Sequence, residues 1–243
     1  MREYTEKDVF ETKEDYLNRM TNGEHHILVA DIDETIVNIS PKAYRILLER
    51  KELFKDYLDL ESTVYHTDEE VLQRPEFNLD KLFLRDPNVP LPKELSKEFY
   101  SIFDDVNFYD DLELTPFGKS IPNLIKDKKA NVDKIYLVSH CVGESQIQSK
   151  IKFLNRVYDN ETKSLITFQP LDLSEKKSDF LLQVEWTTYA DDNLDVLEDV
   201  IKNSISFGKE IFIPALGYNK SNDKFKALCE TFNINPYYII SVM

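Results

Sequence analysis

The stretch Ile27-Leu28-Val29-Ala30-Asp31-Ile32-Asp33-Glu34-Thr35 decides the fold of this chain. Its four apolar residues lead into two carboxylates that are separated by one residue, and a threonine hydroxyl follows. A short apolar run that ends abruptly in charge is typical of a buried parallel strand. The carboxyl end of such a strand opens onto the crevice in which α/β sheets bind their ligands. We therefore expect Asp31 and Asp33 to lie at a ligand-binding edge of a sheet.

Further short apolar runs alternate with helical patterns along the rest of the chain. The other candidate strands are at about 134–140, 164–168, 184–190 and 210–213, and the tail 237–243 is a candidate for one more. A helix is predicted at about 143–158, with Ile147, Ile151 and Leu154 on its apolar face. This alternation predicts the α/β class, with a doubly wound parallel sheet as a Rossmann-like core.

The stretch from 40 to 115 separates the first two candidate strands and is too long for a simple crossover. It contains helix-like pieces divided by proline-rich joints, and no buried strand pattern. We interpret it as an inserted, mainly helical module, which leaves 1–39 and 116–243 as the core. Two of its arginines, Arg74 and Arg85, could reach a substrate, although a position at the solvated surface is favoured for both. Its aromatic residues are expected to form a small separate core: Phe54, Tyr57, Tyr65, Phe77, Phe83, Phe99, Tyr100 and Phe103.

Charge and composition exclude several classes of function. The net charge of −15, from 30 basic and 45 acidic residues, argues against an extended nucleic-acid surface or an anionic-membrane surface. None of the five glycines forms a phosphate loop of the Walker or dinucleotide-binding type. No apolar run is long enough to span a membrane, and the first residues lack an apolar signal region, so we expect a cytoplasmic protein. Cys141 and Cys229 are expected to be reduced thiols.

Polar side chains end three of the candidate strands. Asp31 and Asp33 follow the first strand, Ser139 ends the second, and the pair Asp191-Asp192 follows the fourth. Because parallel strands end at the same edge of a sheet, these side chains should converge. Crowded carboxylates repel one another unless a cation lies between them, and an all-oxygen set suits Mg²⁺. Carboxylate-bound Mg²⁺ favours phosphoryl chemistry, in which an aspartate can be the nucleophile.

The order of these motifs resembles that of the haloacid dehalogenase (HAD) superfamily. Asp-x-Asp-x-Thr comes first, then a serine at a strand end, then a lysine, then an acidic pair, and together they span residues 25 to about 200. A two-component receiver domain uses similar residues in an order that does not fit. The first motif, with Glu34 in place of the commoner glycine, is locally similar to that of acid-phosphatase-like members.

The resemblance implies roles for the first two motifs. Asp31 would attack phosphorus and bind Mg²⁺. Asp33 would be the general acid and base, and its backbone carbonyl would bind the metal. Thr35 and Ser139 would belong to the phosphate-binding site, where Ser139 donates a hydrogen bond to a phosphoryl oxygen. A second carboxylate such as Asp33 distinguishes phosphatases from dehalogenases in this superfamily, because an alcohol leaving group needs a proton.

The resemblance leaves two choices open in the later motifs. Lys177 matches the phosphate-binding lysine, and the adjacent Lys176 is the alternative. Asp192 matches the metal-binding position with Asp191 behind it, although the two could exchange roles because Asp191 and Asp195 also form an Asp-x-x-x-Asp pattern.

The position of the module between the first two motifs is that of a helical type 1 cap, so the resemblance implies a capped site. It implies a Mg²⁺-dependent phosphomonoesterase that acts through an aspartyl-phosphate on a small phosphorylated metabolite, such as a nucleoside monophosphate or a sugar phosphate. The alternatives are a phosphatase acting on nucleic-acid ends and a catalytically silent HAD-like binding domain. The sequence specifies no oligomeric state.

Overall fold

The computed structural model describes residues 26–62, 64–126, 132–205, 209–219, 223–232, 234 and 236–239. Residues 1–25 of the predicted core and 240–243 of the predicted last strand lie outside this range. The strands are β1 (His26–Ala30), β2 (Val132–His140), β3 (Ile166–Leu171), β4 (Thr188–Ala190), β5 (Glu210–Pro214) and β6 (Tyr237–Ile239). Among the described residues, no helix is both long and apolar enough to cross a membrane.

The helices fall into two groups. Those between β1 and β2 are α1 (Ser40–Glu49), α2 (Lys51–Phe54), α3 (Asp68–Leu72), α4 (Leu79–Leu82), α5 (Lys93–Tyr100), a 3₁₀ helix (Ser101–Asp104) and α6 (Pro116–Lys126). Those that follow β2 are α7 (Glu144–Val157), α8 (Asn160–Leu165), α9 (Lys177–Leu181), α10 (Leu194–Asn203), a 3₁₀ helix (Gly217–Asn219) and α11 (Asp223–Thr231).

The strands form one parallel sheet in the order β3-β2-β1-β4-β5-β6. This sheet confirms the predicted fold class. The strand order reverses between β1 and β4, and in doubly wound sheets such a reversal opens a crevice beyond the carboxyl ends of the strands. The backbone N–H of Asp31 donates to the Ala190 carbonyl at 2.8 Å, so the acidic residues that follow β1 and β4 lie side by side at this crevice.

Strand β1 is buried on both faces, which explains its continuous apolar run. Leu28 and Ala30 belong to a hydrophobic cluster that includes α1, α5, α6 and α7. Val29 points to the opposite face and belongs to a second cluster with α9, α10 and α11. Alternate side chains of one strand thus hold a helical layer on each face of the sheet.

Among the described residues, the helical stretch between β1 and α6 has no separate core. Phe54, Phe83 and Phe99 are buried in the same cluster as Leu28 and Ala30. The expectation of an independent small core is therefore wrong. Two of the other aromatic side chains, Phe77 and Tyr100, are exposed and line a cavity that is described below.

The loop after β5 packs tightly against the end of α3. Gly217 lies so close to this segment that an added Cβ would be 2.0 Å from the Gln73 carbonyl oxygen and 2.5 Å from that of Arg74. Both contacts are to backbone atoms, which cannot move aside as a flexible side chain can. The absence of a side chain at residue 217 is what permits the two segments to meet.

We expect Gly217→Ala to lower the free energy of unfolding by about 2–3 kcal/mol, because overpacking against fixed atoms costs about 1–3 kcal/mol. Urea denaturation followed by circular dichroism measures this change. Gly143→Ala is the matched control, because no atom lies within 4 Å of a Cβ built there. Its effect should stay below about 1 kcal/mol. Equal stability of the two variants would contradict the tight contact.

Candidate active site

A cavity of about 310 Å³ lies at the carboxyl edge of the sheet. Its wall includes residues that follow β1 and β4, the end of β2, the start of α9 and parts of the helices between β1 and β2. The predicted site residues that line it are Asp31, Asp33, Ser139, Lys177, Asp191 and Asp192. The parallel sheet therefore brings these side chains, which are far apart in sequence, to one cavity.

Lys177 connects the acidic residues of β1 and β4. Its Nζ donates to Asp31 Oδ1 at 2.6 Å and to Asp191 Oδ2 at 2.8 Å, and the side chain is buried. Burial acts to lower the pKa of Lys177, but the carboxylates of Asp191 and Asp31 outweigh it and raise the pKa. The alternative residue, Lys176, has an exposed side chain and donates to Asp199 on α10 at 2.9 Å. Of the two lysines, Lys177 is the one within the cluster.

Three carboxylates, including the two that Lys177 contacts, lie together and could hold a metal ion. One carboxylate oxygen each from Asp31, Asp191 and Asp192 lies within 4.8 Å of the others, and all three residues are buried. Burial, with the nearby charges of Asp191 and Asp31, raises the pKa of Asp192 well above its usual range. Burial also raises the pKa of Asp31, against the opposing effect of Lys177. Three buried carboxylates beside one lysine form an oxygen-only set that fits a hard divalent cation such as Mg²⁺.

Asp33 takes part in a separate hydrogen-bond network. Its Oδ1 accepts from the Tyr109 hydroxyl at 2.6 Å, and its Oδ2 accepts from Lys150 Nζ at 2.7 Å. Lys150 Nζ also donates to Ser139 Oγ at 2.6 Å. Burial, together with the Asp33 carboxylate, raises the pKa of Tyr109 well above its usual range, which keeps its hydroxyl a hydrogen-bond donor. Lys150 thus joins the ends of β1 and β2.

Thr35 and Glu34 support the loop between β1 and α1. Thr35 is completely buried and does not line the cavity, and its carbonyl accepts from Thr115 Oγ1 at 2.7 Å. Glu34 has a φ of 59°, in the left-handed region that favours glycine. Its Oε1 accepts from the backbone N–H groups of Ile39 and Ser40 at 3.0 and 2.6 Å, at the start of α1. These contacts explain why the chain carries Glu34 where glycine would fit the backbone better.

Arg74 is buried in the wall of this cavity, so the prediction that it lies at the solvated surface is wrong. Its guanidinium donates to the carbonyls of Val71 and Phe77 at 3.1 and 2.8 Å, and it lies 4.9 Å from the centre of the Tyr218 ring. The Tyr218 hydroxyl donates to Asp192 Oδ2 at 2.6 Å. Tyr218 therefore joins the acidic cluster to the helices between β1 and β2.

Sequence reasoning missed Lys150, Tyr109 and Tyr218. Lys150 lies on the buried face of α7 together with Gln146 and Ser149. The spacing of these three polar residues places them on one helix face, and this was the signal available in the sequence. No such periodic signal exists for Tyr109 and Tyr218, because both lie outside the α-helices and strands.

Comparison with models of known protein families gives no match, and neither does comparison with curated proteins. Solved structures do match. A candidate haloacid dehalogenase-like hydrolase from Bacteroides fragilis is 18% identical, with 90% of this chain and 98% of that chain covered and a TM-score of 0.52.

Two further structures give similar values. A candidate phosphoglycolate phosphatase from Lactobacillus plantarum is 13% identical, with 82% of this chain and 90% of that chain covered and a TM-score of 0.52. A haloacid dehalogenase-like hydrolase from Streptococcus pneumoniae is 13% identical, with 89% of this chain and 94% of that chain covered and a TM-score of 0.51. The chain therefore has the fold of the haloacid dehalogenase-like hydrolases, and the resemblance is confirmed at the level of the fold.

Proposed function

We propose that this chain is a Mg²⁺-dependent phosphomonoesterase that acts through an aspartyl-phosphate on a small phosphorylated metabolite, such as a nucleoside monophosphate. The observation that carries this proposal is the buried contact of Lys177 Nζ with both Asp31 and Asp191, next to Asp192. A cation beside a nucleophilic carboxylate supports phosphoryl transfer, because positioned cations stabilise the negative charge of the transferring group. The solved structures of the same fold include a candidate phosphatase, which adds support.

In this proposal Asp31 and Asp33 divide the chemistry between them. A carboxylate oxygen of Asp31 attacks phosphorus, and the bond from phosphorus to the leaving oxygen breaks as Asp33 gives that oxygen a proton. Water then attacks the phosphorus of the aspartyl-phosphate and gives a proton to Asp33. The bond from phosphorus to the Asp31 oxygen breaks, and inorganic phosphate leaves. Asp33 returns to its protonated state for the next substrate.

The remaining site residues would bind the phosphate and the metal. Ser139 would donate a hydrogen bond to a phosphoryl oxygen, and Lys177 would neutralise charge on Asp31 and on the phosphate. Thr35 would contribute to the phosphate site from behind the cavity wall, by holding the loop that carries Asp33. Asp31, the Asp33 carbonyl and Asp192 would hold Mg²⁺. Asp191 would lie behind these ligands, or would bind the metal in place of Asp192. When bound, the ion would offset the negative charge of the phosphoryl group during transfer.

We propose that residues 40–115 are the cap of this site, with residues 1–39 and 116–243 as the core. The contribution of Arg74, Phe77 and Tyr100 to the cavity wall supports this role, because a cap must supply part of the enclosure. Such an enclosure would exclude bulk water from the aspartyl-phosphate until the leaving group has departed.

The proposal is tested by phosphate release from para-nitrophenyl phosphate with Mg²⁺, with a chelator, and with Mg²⁺ restored. We expect release that the chelator abolishes and Mg²⁺ restores. Borohydride should reduce the acyl phosphate in rapidly quenched samples to an alcohol, and mass spectrometry should locate it at Asp31. Absence of phosphate release with every divalent metal and at every pH would contradict the proposal and favour a catalytically silent binding domain.

A further inference from the structure

One part of the cavity wall is aromatic and apolar, unlike the part formed by the carboxylates. Phe99, Tyr100 and Phe103 contribute aromatic side chains from α5 and the 3₁₀ helix that follows it. Phe77 contributes from the segment between α3 and α4, and Leu173 from the loop after β3. Phe77, Tyr100 and Leu173 are 36%, 42% and 69% exposed. Apolar side chains left open at a cavity are typical of a surface that a ligand covers. A phosphate and a metal ion would leave these side chains in water.

Three residues that line the cavity, Glu34, Arg74 and Asp80, each carry a buried polar side-chain atom without a hydrogen-bond partner among the described residues. Asp80 Oδ1 can accept a hydrogen bond and Arg74 Nε can donate one, yet neither atom has a partner in the part of the chain that the structure describes. Buried polar groups without partners are rare, and each is costly unless a ligand or water satisfies it. The pKa of Tyr100 is raised by burial, by the Asp80 carboxylate and by a side-chain hydrogen bond with Asp80, so the Tyr100 ring lies beside this residue.

We propose that this part of the lining is the subsite for a nucleobase, an inference that rests on the proposed function. The substrate would then be a nucleoside monophosphate rather than a sugar phosphate or a small phosphorylated acid. A base has a flat face for the aromatic side chains, with donors and acceptors at its edge that can pair with polar groups of lining residues such as Asp80 and Arg74. A sugar phosphate or a small phosphorylated acid offers hydroxyl or carboxylate groups but no planar aromatic face. The volume of about 310 Å³ lies at the lower end of small-molecule sites and suits one nucleotide rather than a polymer.

The test compares nucleoside 5′-monophosphates with ribose 5-phosphate, which has the same sugar and phosphate without the base. We expect kcat/KM for at least one nucleotide to exceed that for ribose 5-phosphate by more than about tenfold, because stacking of one base is worth that factor. Tyr100→Ala should reduce this ratio by about tenfold. Phe232→Ala is the matched control, since Phe232 is also 42% exposed but does not line the cavity, and it should leave the ratio unchanged. Asp80→Asn should change the ranking among the bases.

The outcomes separate this inference from the proposed function. Equal kcat/KM for ribose 5-phosphate and every nucleotide would overturn the nucleobase subsite and leave the phosphatase proposal intact. If no ester is hydrolysed, the phosphatase proposal fails, and calorimetric titration with unphosphorylated nucleosides tests the subsite alone. The subsite would be supported if the wild type binds nucleosides, Tyr100→Ala weakens this binding and Phe232→Ala leaves it unchanged. Absence of nucleoside binding by the wild type would overturn it.

Discussion

Replacing Asp31 by asparagine is expected to reduce kcat for phosphomonoester hydrolysis by more than about 10⁴-fold, because removal of a covalent nucleophile costs losses of this order. The substitution keeps the shape of the side chain, and the amide oxygen can still accept the hydrogen bond from Lys177. Steady-state assays at saturating Mg²⁺ measure the loss. Mass spectrometry should find no phosphorylated intermediate in the variant.

The stability of Asp31→Asn separates a catalytic role from a structural one. Burial raises the pKa of Asp31, which means that the folded state penalises its charged form at neutral pH. Removing that charge should leave the melting temperature equal or higher. Asp223→Asn is the control, since Asp223 is exposed on the first turn of α11 and does not line the cavity, and it should retain activity. Activity of Asp31→Asn within tenfold of the wild type would rule out Asp31 as the nucleophile.

The sheet and the cluster around Lys177 could be predicted because their signals are local in sequence. Each strand that carries a site residue is a short apolar run. The residue that follows such a strand lies at the carboxyl edge of the sheet, whichever way the helices pack. Parallel pairing then brings Asp31, Ser139 and Asp191 together. The choice between Lys176 and Lys177 needed the structure, because adjacent residues at the start of a helix point in different directions.

The network around Asp33 could not be predicted because its members are not at strand ends. Apolar periodicity predicts that Ile147 and Ile151 lie on the buried face of α7. In the structure the buried residues of this helix include Gln146, Ser149 and Lys150. On a helix that faces a polar site, the buried residues include polar ones, so the apolar residues do not identify the whole buried face. The burial of Arg74 escaped prediction for the same reason.

The role of Lys150 leads to the second large effect. Its side chain is fully buried, whereas the Asp33 side chain is 22% exposed, and their contact of 2.7 Å fixes Asp33 beside Ser139. We infer that Lys150 is a positioning residue for Asp33, the proposed general acid. Lys150→Met should reduce kcat by about 10²-fold, because a displacement of about 1 Å in a reacting group costs that much. The effect should fall on kcat more than on KM.

A double-mutant cycle distinguishes positioning from a structural role, since loss of one partner of a buried pair also destabilises the fold. In an Asp33→Asn background, Lys150→Met should cost less than about tenfold, because the group that Lys150 holds has already been disabled. Lys152→Met is the matched control on the same helix, where Lys152 is exposed and pairs with Asp110, and it should retain full activity. If the losses from Lys150→Met and Asp33→Asn simply multiply, Lys150 acts independently of Asp33 and the positioning role is wrong.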